Sequence, residues 1–167
     1  MDRCVQALQA VHENDAYPLN WPTDPLSWLN PPRLQQAWIA EESGGIVDGH
    51  VAIQRSPSEA PARHVELSRL FVTPTARRHS LAGALVDHAR RWAAEHNYDL
   101  TPNVTDEQRS AAVAFYEATG WRHTHTMDAD WTTPDGRPVK LRHYTLTSMT
   151  SDADGNLQPP PSPKNAK

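Results

Sequence analysis

The stretch of the sequence richest in reactive side chains is residues 70–89, LFVTPTARRHSLAGALVDHA. It predicts a strand that leads directly into a helix, with basic residues crowded at the junction. The first-turn N–H groups of a helix lack partners within the helix, and the helix dipole adds partial positive charge there. Such a junction favours an anion. Arg77, Arg78 and His79 therefore indicate either a cradle for a pyrophosphate or a solvated basic loop.

Two further side chains could take part in proton transfer. Glu66 lies in the predicted strand HVELSRLFV, and Tyr116 lies in the predicted helix AAVAFYEATG. Glu66 could equally be a strand residue paired with an arginine, and Tyr116 could be a core aromatic residue beside Phe115. Alternation along the strand predicts two faces, with Glu66, Ser68 and Leu70 on one and Leu67, Arg69 and Phe71 on the other.

Composition limits the class of protein. The 167 residues are 38% apolar and 22% charged, which predicts one polar, globular domain. A net charge of −4 argues against general nucleic-acid binding, because phosphate neutralisation needs a basic surface. Cys4 is the only cysteine, so no intrachain disulfide framework exists. With no signal-peptide pattern and no long apolar run for a membrane span, we expect a cytoplasmic protein.

Periodicity predicts a single domain over residues 1–150, followed by a disordered, proline-rich tail over 151–167. A helix over 1–13 precedes a short helix capped by Thr23 or Asp24, with Pro25 in its first turn. Strands 36–42 and 46–54 follow, the second with a bulge at Asp48-Gly49, and then strand 64–72, helix 81–96 and strand 98–104. A further helix runs from the capping box at Thr105–Gln108 to Gly120. The last two strands, 121–131 and 139–146, flank a tight turn at Asp135-Gly136. This order predicts an α/β or α+β three-layer domain with a mixed sheet.

Three segments together resemble the GNAT superfamily of acyl-CoA-dependent N-acetyltransferases. RRHSLA, which begins at Arg77, is similar to the family signature Arg/Gln-x-x-Gly-x-Gly/Ala. VELSRLFVTP before it is similar to the family's fourth strand, and AAVAFYEATGW after it to the family's tyrosine-bearing helix. The resemblance covers roughly residues 1–147.

The resemblance implies a mostly antiparallel sheet whose fourth and fifth strands splay apart, with helices on both faces and acetyl-CoA as co-substrate. The pantetheine arm would enter between those strands, here 64–72 and 98–104. Pro102 fits this arrangement because a residue facing the gap needs no strand partner, although an ordinary edge strand would also accept a proline. The implied cofactor-binding residues are Leu70, Phe71, Val72, Arg77, Arg78, His79, Ser80, Leu81, Ala82, Gly83 and Arg109.

By the same resemblance, Tyr116 donates a proton to the departing thiolate and Glu66 is the base that deprotonates the amine. Tyrosine suits the acid role, since its ordinary pKa near ~10 exceeds that of a thiol near ~8.5. Backbone N–H groups of residues 70–72 would polarise the acyl carbonyl. Tyr17, Trp21 and Trp28 would line the acceptor pocket or, equally, cap the core.

The chain departs from the family pattern at three places. Ser80 replaces the central glycine of the turn, which would cost ~1 kcal/mol if the backbone there is left-handed. Arg109 replaces an asparagine and could reach a phosphate instead. The family's first strand has no counterpart, so either the sheet lacks that edge strand or the start lies upstream.

The sequence therefore predicts a catalytic N-acetyltransferase acting on a small-molecule amine. A protein or peptide acceptor and a non-catalytic acyl-CoA-binding domain remain alternatives, and the state of assembly is open, with a homodimer among the options. No metal site is expected: if Asp135-Gly136 is the tight turn, His143 lies opposite Asp128, while His123 and His125 share the other face.

Overall fold

The computed structural model describes residues 2–56, 60–105 and 111–146, without the side chains of Arg78, His79 and Ala111. Its elements, in chain order, are α1 (Asp2–Asp15), α2 (Pro25–Leu29), β1 (Leu34–Glu42), β2 (Ile46–Arg55), β3 (His64–Val72), a 3₁₀ turn (Pro74–His79), α3 (Leu81–Glu95), β4 (Asp99–Thr105), α4 (Ala111–Ala118), β5 (Trp121–Thr132) and β6 (Pro138–Leu146). The strands form one sheet in the order β1-β2-β3-β4-β6-β5. All neighbours are antiparallel except β3 and β4, so the predicted mixed, mostly antiparallel sheet is confirmed.

Helices cover both faces of the sheet, and each face has its own core. On the side of α3 and α4, buried side chains such as Leu67, Leu85 and Tyr144 form the larger cluster. On the side of α1 and α2, Leu8, Leu29 and neighbouring residues pack against the other face. We refer to these two faces as the α3 face and the α1 face. The face on which a side chain lies determines from which side of the sheet it can contact another molecule.

The short helix α2 begins where its sequence predicts. The Asp24 side chain accepts hydrogen bonds from the backbone N–H groups of Leu26 and Ser27, both at 3.1 Å, and Pro25 occupies the first turn. These bonds satisfy two donors that the helix leaves free. The hydrogen bonds from Ser27 are the largest cause of the lowered pKa of the Asp24 carboxyl group.

The strands β3 and β4 run together only at their beginnings. Parallel pairing extends from His64–Asp99 to Leu67–Pro102, and β4 then pairs with β6 from Asn103 onward. Pro102 is the last residue of β4 paired with β3, and Asn103 is the first paired with β6. A proline is tolerated at this point because it has no N–H group to donate to a further pair. The splay is thus present, and β4 is a central strand rather than an edge strand. We call the gap between residues 68–72 of β3 and residues 103–105 of β4 the slot.

A bulge in β3 overturns the predicted faces of this strand. His50 of β2 pairs with Phe71 and Ala52 pairs with Ser68, so two residues of β3 lie opposite one of β2. Arg69, the first of them, has a left-handed backbone with φ = 51°. Alternation therefore shifts by one position beyond Ser68. Leu70 packs with Leu67 on the α3 face, whereas Phe71 joins the α1 face.

The predicted register of the final hairpin is also wrong. His143 pairs with His125, not with Asp128, because the pairing next to the turn joins Thr132 to Pro138 and β5 carries extra residues between Asp128 and Thr132; a further irregularity follows at Thr124. The irregularity at Thr124 places His123 and His125 on opposite faces. The ring of His123 meets Tyr144, while the rings of His125 and His143 stack with centroids 4.5 Å apart.

Several predictions fall outside the described residues: most of the capping box that begins at Thr105, Arg109, and the tail over 151–167. Within the described part of the chain, no helix has the length and apolar character needed to cross a membrane.

Candidate active site

The helix α3 begins at one end of the slot with an unusual residue. Ser80 adopts the left-handed region, φ = 53° and ψ = 22°, and its side chain caps no backbone N–H group. The first-turn N–H groups of residues 81–83 have no acceptor within the helix. A Cβ built on Gly83 would meet nothing within 4 Å, so the helix mouth is open. These features suit a phosphate held by backbone amides.

The sequence predicts that the guanidinium of Arg77 surrounds that mouth, but the structure places this group against Asp15 of α1. It makes a two-point contact with the carboxylate of Asp15, one arm at 3.0 Å, and its Nε donates to the carbonyl of Val72 at 3.4 Å. The hydrogen bond from Arg77 is the main cause of the lowered pKa of the Asp15 carboxyl group. Arg77 therefore ties the end of α1 to the turn.

Tyr116 approaches the slot from the α3 face. It is 3% exposed, and its ring contacts those of Phe115, Trp121 and Tyr144 at centroid distances of 5.3, 6.1 and 5.8 Å. Burial raises the pKa of its phenol well above the ordinary value, with a smaller contribution from Tyr17. The phenol therefore keeps its proton throughout the neutral pH range. Since Tyr17 packs on the α1 face, the two phenols approach each other from opposite faces of the sheet.

Glu66 lies on the α1 face, beside the point where β3 and β4 separate. Its carboxylate accepts a hydrogen bond from Gln54 Nε2 at 3.2 Å, and its backbone pairs with Thr101 of β4. The side chain is half-buried rather than enclosed. Glu66 makes no ion pair with the described arginines.

Polar residues on the neighbouring strands continue this face, and sequence reasoning did not find them as a group. Asn103 of β4 pairs with His143 of β6, and its side-chain oxygen is buried with no partner among the described residues. Burial is the largest cause of the lowered pKa of His143; His125 lowers it further, while Glu66 opposes the shift. No sequence signal reveals this group, because it depends on the hairpin register.

Of the three predicted acceptor aromatics, the structure brings two together. Tyr17 and Trp28 meet edge to face at 6.1 Å and pack against the α1-face core, and burial raises the pKa of Tyr17 to about 12. Trp21 lies apart, against His12 of α1, and is 39% exposed.

The bulge itself is held by a buried histidine that sequence reasoning also missed. His50 is 4% exposed, stacks on Phe71 at 5.3 Å, and its Nδ1 lies 2.9 Å from the carbonyl oxygen of Arg69. A carbonyl only accepts, so Nδ1 carries the proton and donates. Burial lowers the pKa of His50 and keeps the ring neutral.

The histidines of the hairpin do not form a metal cluster. Across the ranges 2–56, 60–105 and 111–146, no three histidine, cysteine, aspartate or glutamate side chains converge as ligands.

These residues place an acid and a base on opposite sides of one opening in the sheet. The slot exposes strand edges with unused backbone groups, Tyr116 belongs to the core of the α3 face, and Glu66 lies on the α1 face. The mouth of α3 follows β3 after the 3₁₀ turn. An extended molecule with an anionic end fits this layout, and a second reactant can approach from the α1 face.

Solved structures of acetyltransferases share this fold. The ribosomal-protein-S18-alanine N-acetyltransferase from Escherichia coli superposes with a TM-score of 0.60 at 19% identity, covering 87% of this chain and 91% of that one. The ribosomal-protein-alanine N-acetyltransferase from Brucella melitensis gives 0.64 at 19% identity, with 84% and 90% covered. A nourseothricin acetyltransferase gives 0.56 at 23% identity, with 69% and 65% covered.

The sequence itself carries the family assignment. Residues 33–123, more than half of the 167, match the acetyltransferase (GNAT) domain. This match spans the slot, the bulge and the mouth of α3, and it ends in β5 just beyond Tyr116. The chain is therefore a member of the GNAT acetyltransferase family.

Proposed function

We propose that this protein transfers an acetyl group from acetyl-CoA to the primary amine of a small molecule, by direct attack within a ternary complex. The observation that carries the proposal is the divergence of β3 and β4 between Tyr116 on one face and Glu66 on the other. A thioester carbonyl in the slot would lie between an acid and a base.

The chain has suitable groups for each part of acetyl-CoA. The unpaired edges of the slot offer backbone N–H and C=O groups to the amides of the pantetheine arm, as a neighbouring strand would. The first-turn amides of α3 and the open space over Gly83 suit the pyrophosphate. Arg78, His79 and Arg109 are further candidates for the phosphates.

Glu66 takes the proton that the amine must lose before or as its nitrogen attacks the acyl carbon. Gln54 orients the carboxylate from the side, and partial exposure lets a protonated amine enter from water. Tyr116 donates its phenolic proton to the sulfur as the C–S bond breaks, so coenzyme A leaves as the thiol. Proton transfer by positioned groups contributes typically ~10²–10⁴-fold to a rate.

We expect Tyr116→Phe and Glu66→Gln each to lower kcat by about 10²-fold or more, measured as thiol release from acetyl-CoA with a panel of amines. Matched controls are Tyr98→Phe, whose ring packs on Trp92 of α3, and Glu13→Gln on α1; both should retain full activity. Equal activity of Tyr116→Phe and wild type would remove Tyr116 from the mechanism.

Ligand binding separates an enzyme from a non-catalytic acyl-CoA-binding domain. Acetyl-CoA at 100 times its Kd should stabilise the fold by about 2.7 kcal/mol and raise the Tm accordingly. Stabilisation without turnover on any amine or amino-terminal peptide would favour the non-catalytic alternative. Turnover on peptides alone would favour a protein acceptor. No stabilisation at saturation would contradict acetyl-CoA binding itself.

A further inference from the structure

Arg69 is placed where an acceptor must approach the acyl group. It is the left-handed residue of the β3 bulge, next to the slot, and the bulge turns its side chain to the α1 face beside Glu66. Alternation without the bulge would have sent it to the opposite face. Its guanidinium lies over the ring of Trp28, 4.9 Å from the centroid.

Every group that Arg69 contacts is uncharged. Its Nε donates to the carbonyl of Trp28, and its Nη1 donates to Gln54 Oε1 at 3.0 Å and to Ser68 Oγ at 3.2 Å. The Nη2 group makes no hydrogen bond with any described residue. One edge of the guanidinium is thus fixed by the protein, and the other edge keeps free donors.

This arginine has no carboxylate partner among the described residues. The arginines that do form such ion pairs are Arg3, Arg63, Arg77, Arg90 and Arg137. Arg69 is half-buried, and burial is the largest cause of the lowered pKa of its guanidinium; Tyr17 opposes the shift, and Arg33 adds a like charge. Charged groups removed from water without a counter-charge are costly, and proteins normally pair them. No described carboxylate therefore contacts this guanidinium directly, since that of Glu66 lies on the far side of Gln54.

Gln54 sets the distance between this cation and the candidate base. Its Nε2 donates to Glu66 and its Oε1 accepts from Arg69, so one carboxamide separates the two opposite charges. A molecule that carries an amine and a carboxylate a few bonds apart matches this separation, with the amine at Glu66 and the carboxylate on Arg69. Arginine suits the second role because its guanidinium stays charged and its Nη2 group keeps N–H donors for a carboxylate oxygen.

We infer that the acceptor is an amine bearing a carboxylate, of the amino-acid type, and that Arg69 binds that carboxylate. The inference rests on the proposed acetyl transfer and specifies its substrate class. Burial of Arg69 against Trp28 then makes sense as preorganisation, since the cation is already desolvated and oriented before the acceptor arrives.

The test uses matched pairs of acceptors, each a free amino acid and its methyl ester, with thiol release from acetyl-CoA as the readout. For accepted side chains we expect kcat/KM of the free acid to exceed that of the ester by about 10- to 100-fold, as a charge-assisted hydrogen-bond pair supplies. Arg69→Gln should bring the ratio of kcat/KM for the acid to kcat/KM for the ester down to about one. Arg63→Gln, which removes only an exposed ion pair, is the control.

The outcomes separate this inference from the function on which it rests. If wild type acetylates esters as well as acids, the carboxylate site is refuted while acetyl transfer stands. If Arg69→Gln slows acids and esters equally, Arg69 merely supports the fold, and the inference is again refuted. If Arg69→Gln does not fold, the ratio of kcat/KM for the acid to kcat/KM for the ester in the wild type still tests the carboxylate site. If no acceptor turns over although acetyl-CoA binds, the proposed function and the inference fall together.

Discussion

A left-handed serine at the mouth of α3 is a local strain that the fold tolerates. Ser80 has a positive φ where residues with a Cβ are disfavoured by about 1 kcal/mol, and its hydroxyl makes no capping bond that would offset the cost. Strain of this kind is found where a ligand is bound.

We predict that Ser80→Gly raises the free energy of unfolding by about 0.5–1 kcal/mol, since glycine reaches this backbone without a steric penalty. Urea denaturation measures the change. Ala84→Gly, one turn later with helical backbone and an exposed side chain, should lower stability by about 1 kcal/mol instead. A loss of stability in both variants would contradict the strain.

Single residues also show where the sequence ceased to be informative. Tyr116, Glu66 and the turn at Ser80 could be selected from their types and spacing. The bulge at Arg69 could not, because neither glycine nor a turn signal marks it, and the side chain that hydrogen-bonds it, His50, comes from the neighbouring strand β2. One unmarked residue of this kind reverses every face assignment that follows it.

The helix α1 packs on the α1 face of the sheet, and one apolar stripe holds it there. Leu8 is fully buried, with Cys4, Ala7 and Val11 along the same stripe. Contacts of α1 reach β2, β3 and the turn before α3, where Arg77 binds Asp15. A shift of α1 would therefore move Tyr17 and the slot together.

Leu8→Ala should lower the free energy of unfolding by about 2–5 kcal/mol, because it leaves a cavity between α1 and the sheet. Gln6→Ala, on the exposed side of the same helix, should change stability by less than about 0.5 kcal/mol. Chemical denaturation of the two variants provides the comparison, and equal stability would show that α1 is not packed as described.

Among the secondary-structure elements, the sequence predicts boundaries that depend on nearby residues, but it does not predict the register in which strands pair. The beginning of α2 follows from Asp24 and Pro25, and β3 matches its predicted bounds because Thr73-Pro74 ends it. The hairpin was misaligned because two irregularities in β5 change the pairing without changing the composition. Register depends on backbone hydrogen bonds across strands, which a single sequence does not display.

For the molecule as a whole, buried neutral histidines link stability to pH. Burial lowers the pKa of His50 and of His143 in the folded state. An unfolded histidine has a pKa near ~6.5, so below that pH the unfolded chain binds protons that the folded chain does not. Stability is therefore full above about pH 6.5 and falls as the pH is lowered towards the folded pKa values.

We expect the free energy of unfolding to fall between pH 7.5 and pH 5, by at most about 1.4 kcal/mol per pH unit for each histidine. Urea denaturation across this range measures the slope. His50→Asn, which keeps a donor for the Arg69 carbonyl, should flatten the profile. A flat wild-type profile would show that these rings charge as easily in the folded protein as in water.

The exchange of partners along β4 has a mechanical consequence. One half of the sheet, β1 to β3, is joined to the hairpin half only along the short stretch from His64–Asp99 to Leu67–Pro102 and through the helices packed beneath. Pro102 thus marks a natural axis of bending, about which the halves can tilt without breaking a rung of either ladder. A molecule that binds to the β5–β6 hairpin would therefore alter the width of the slot between β3 and β4.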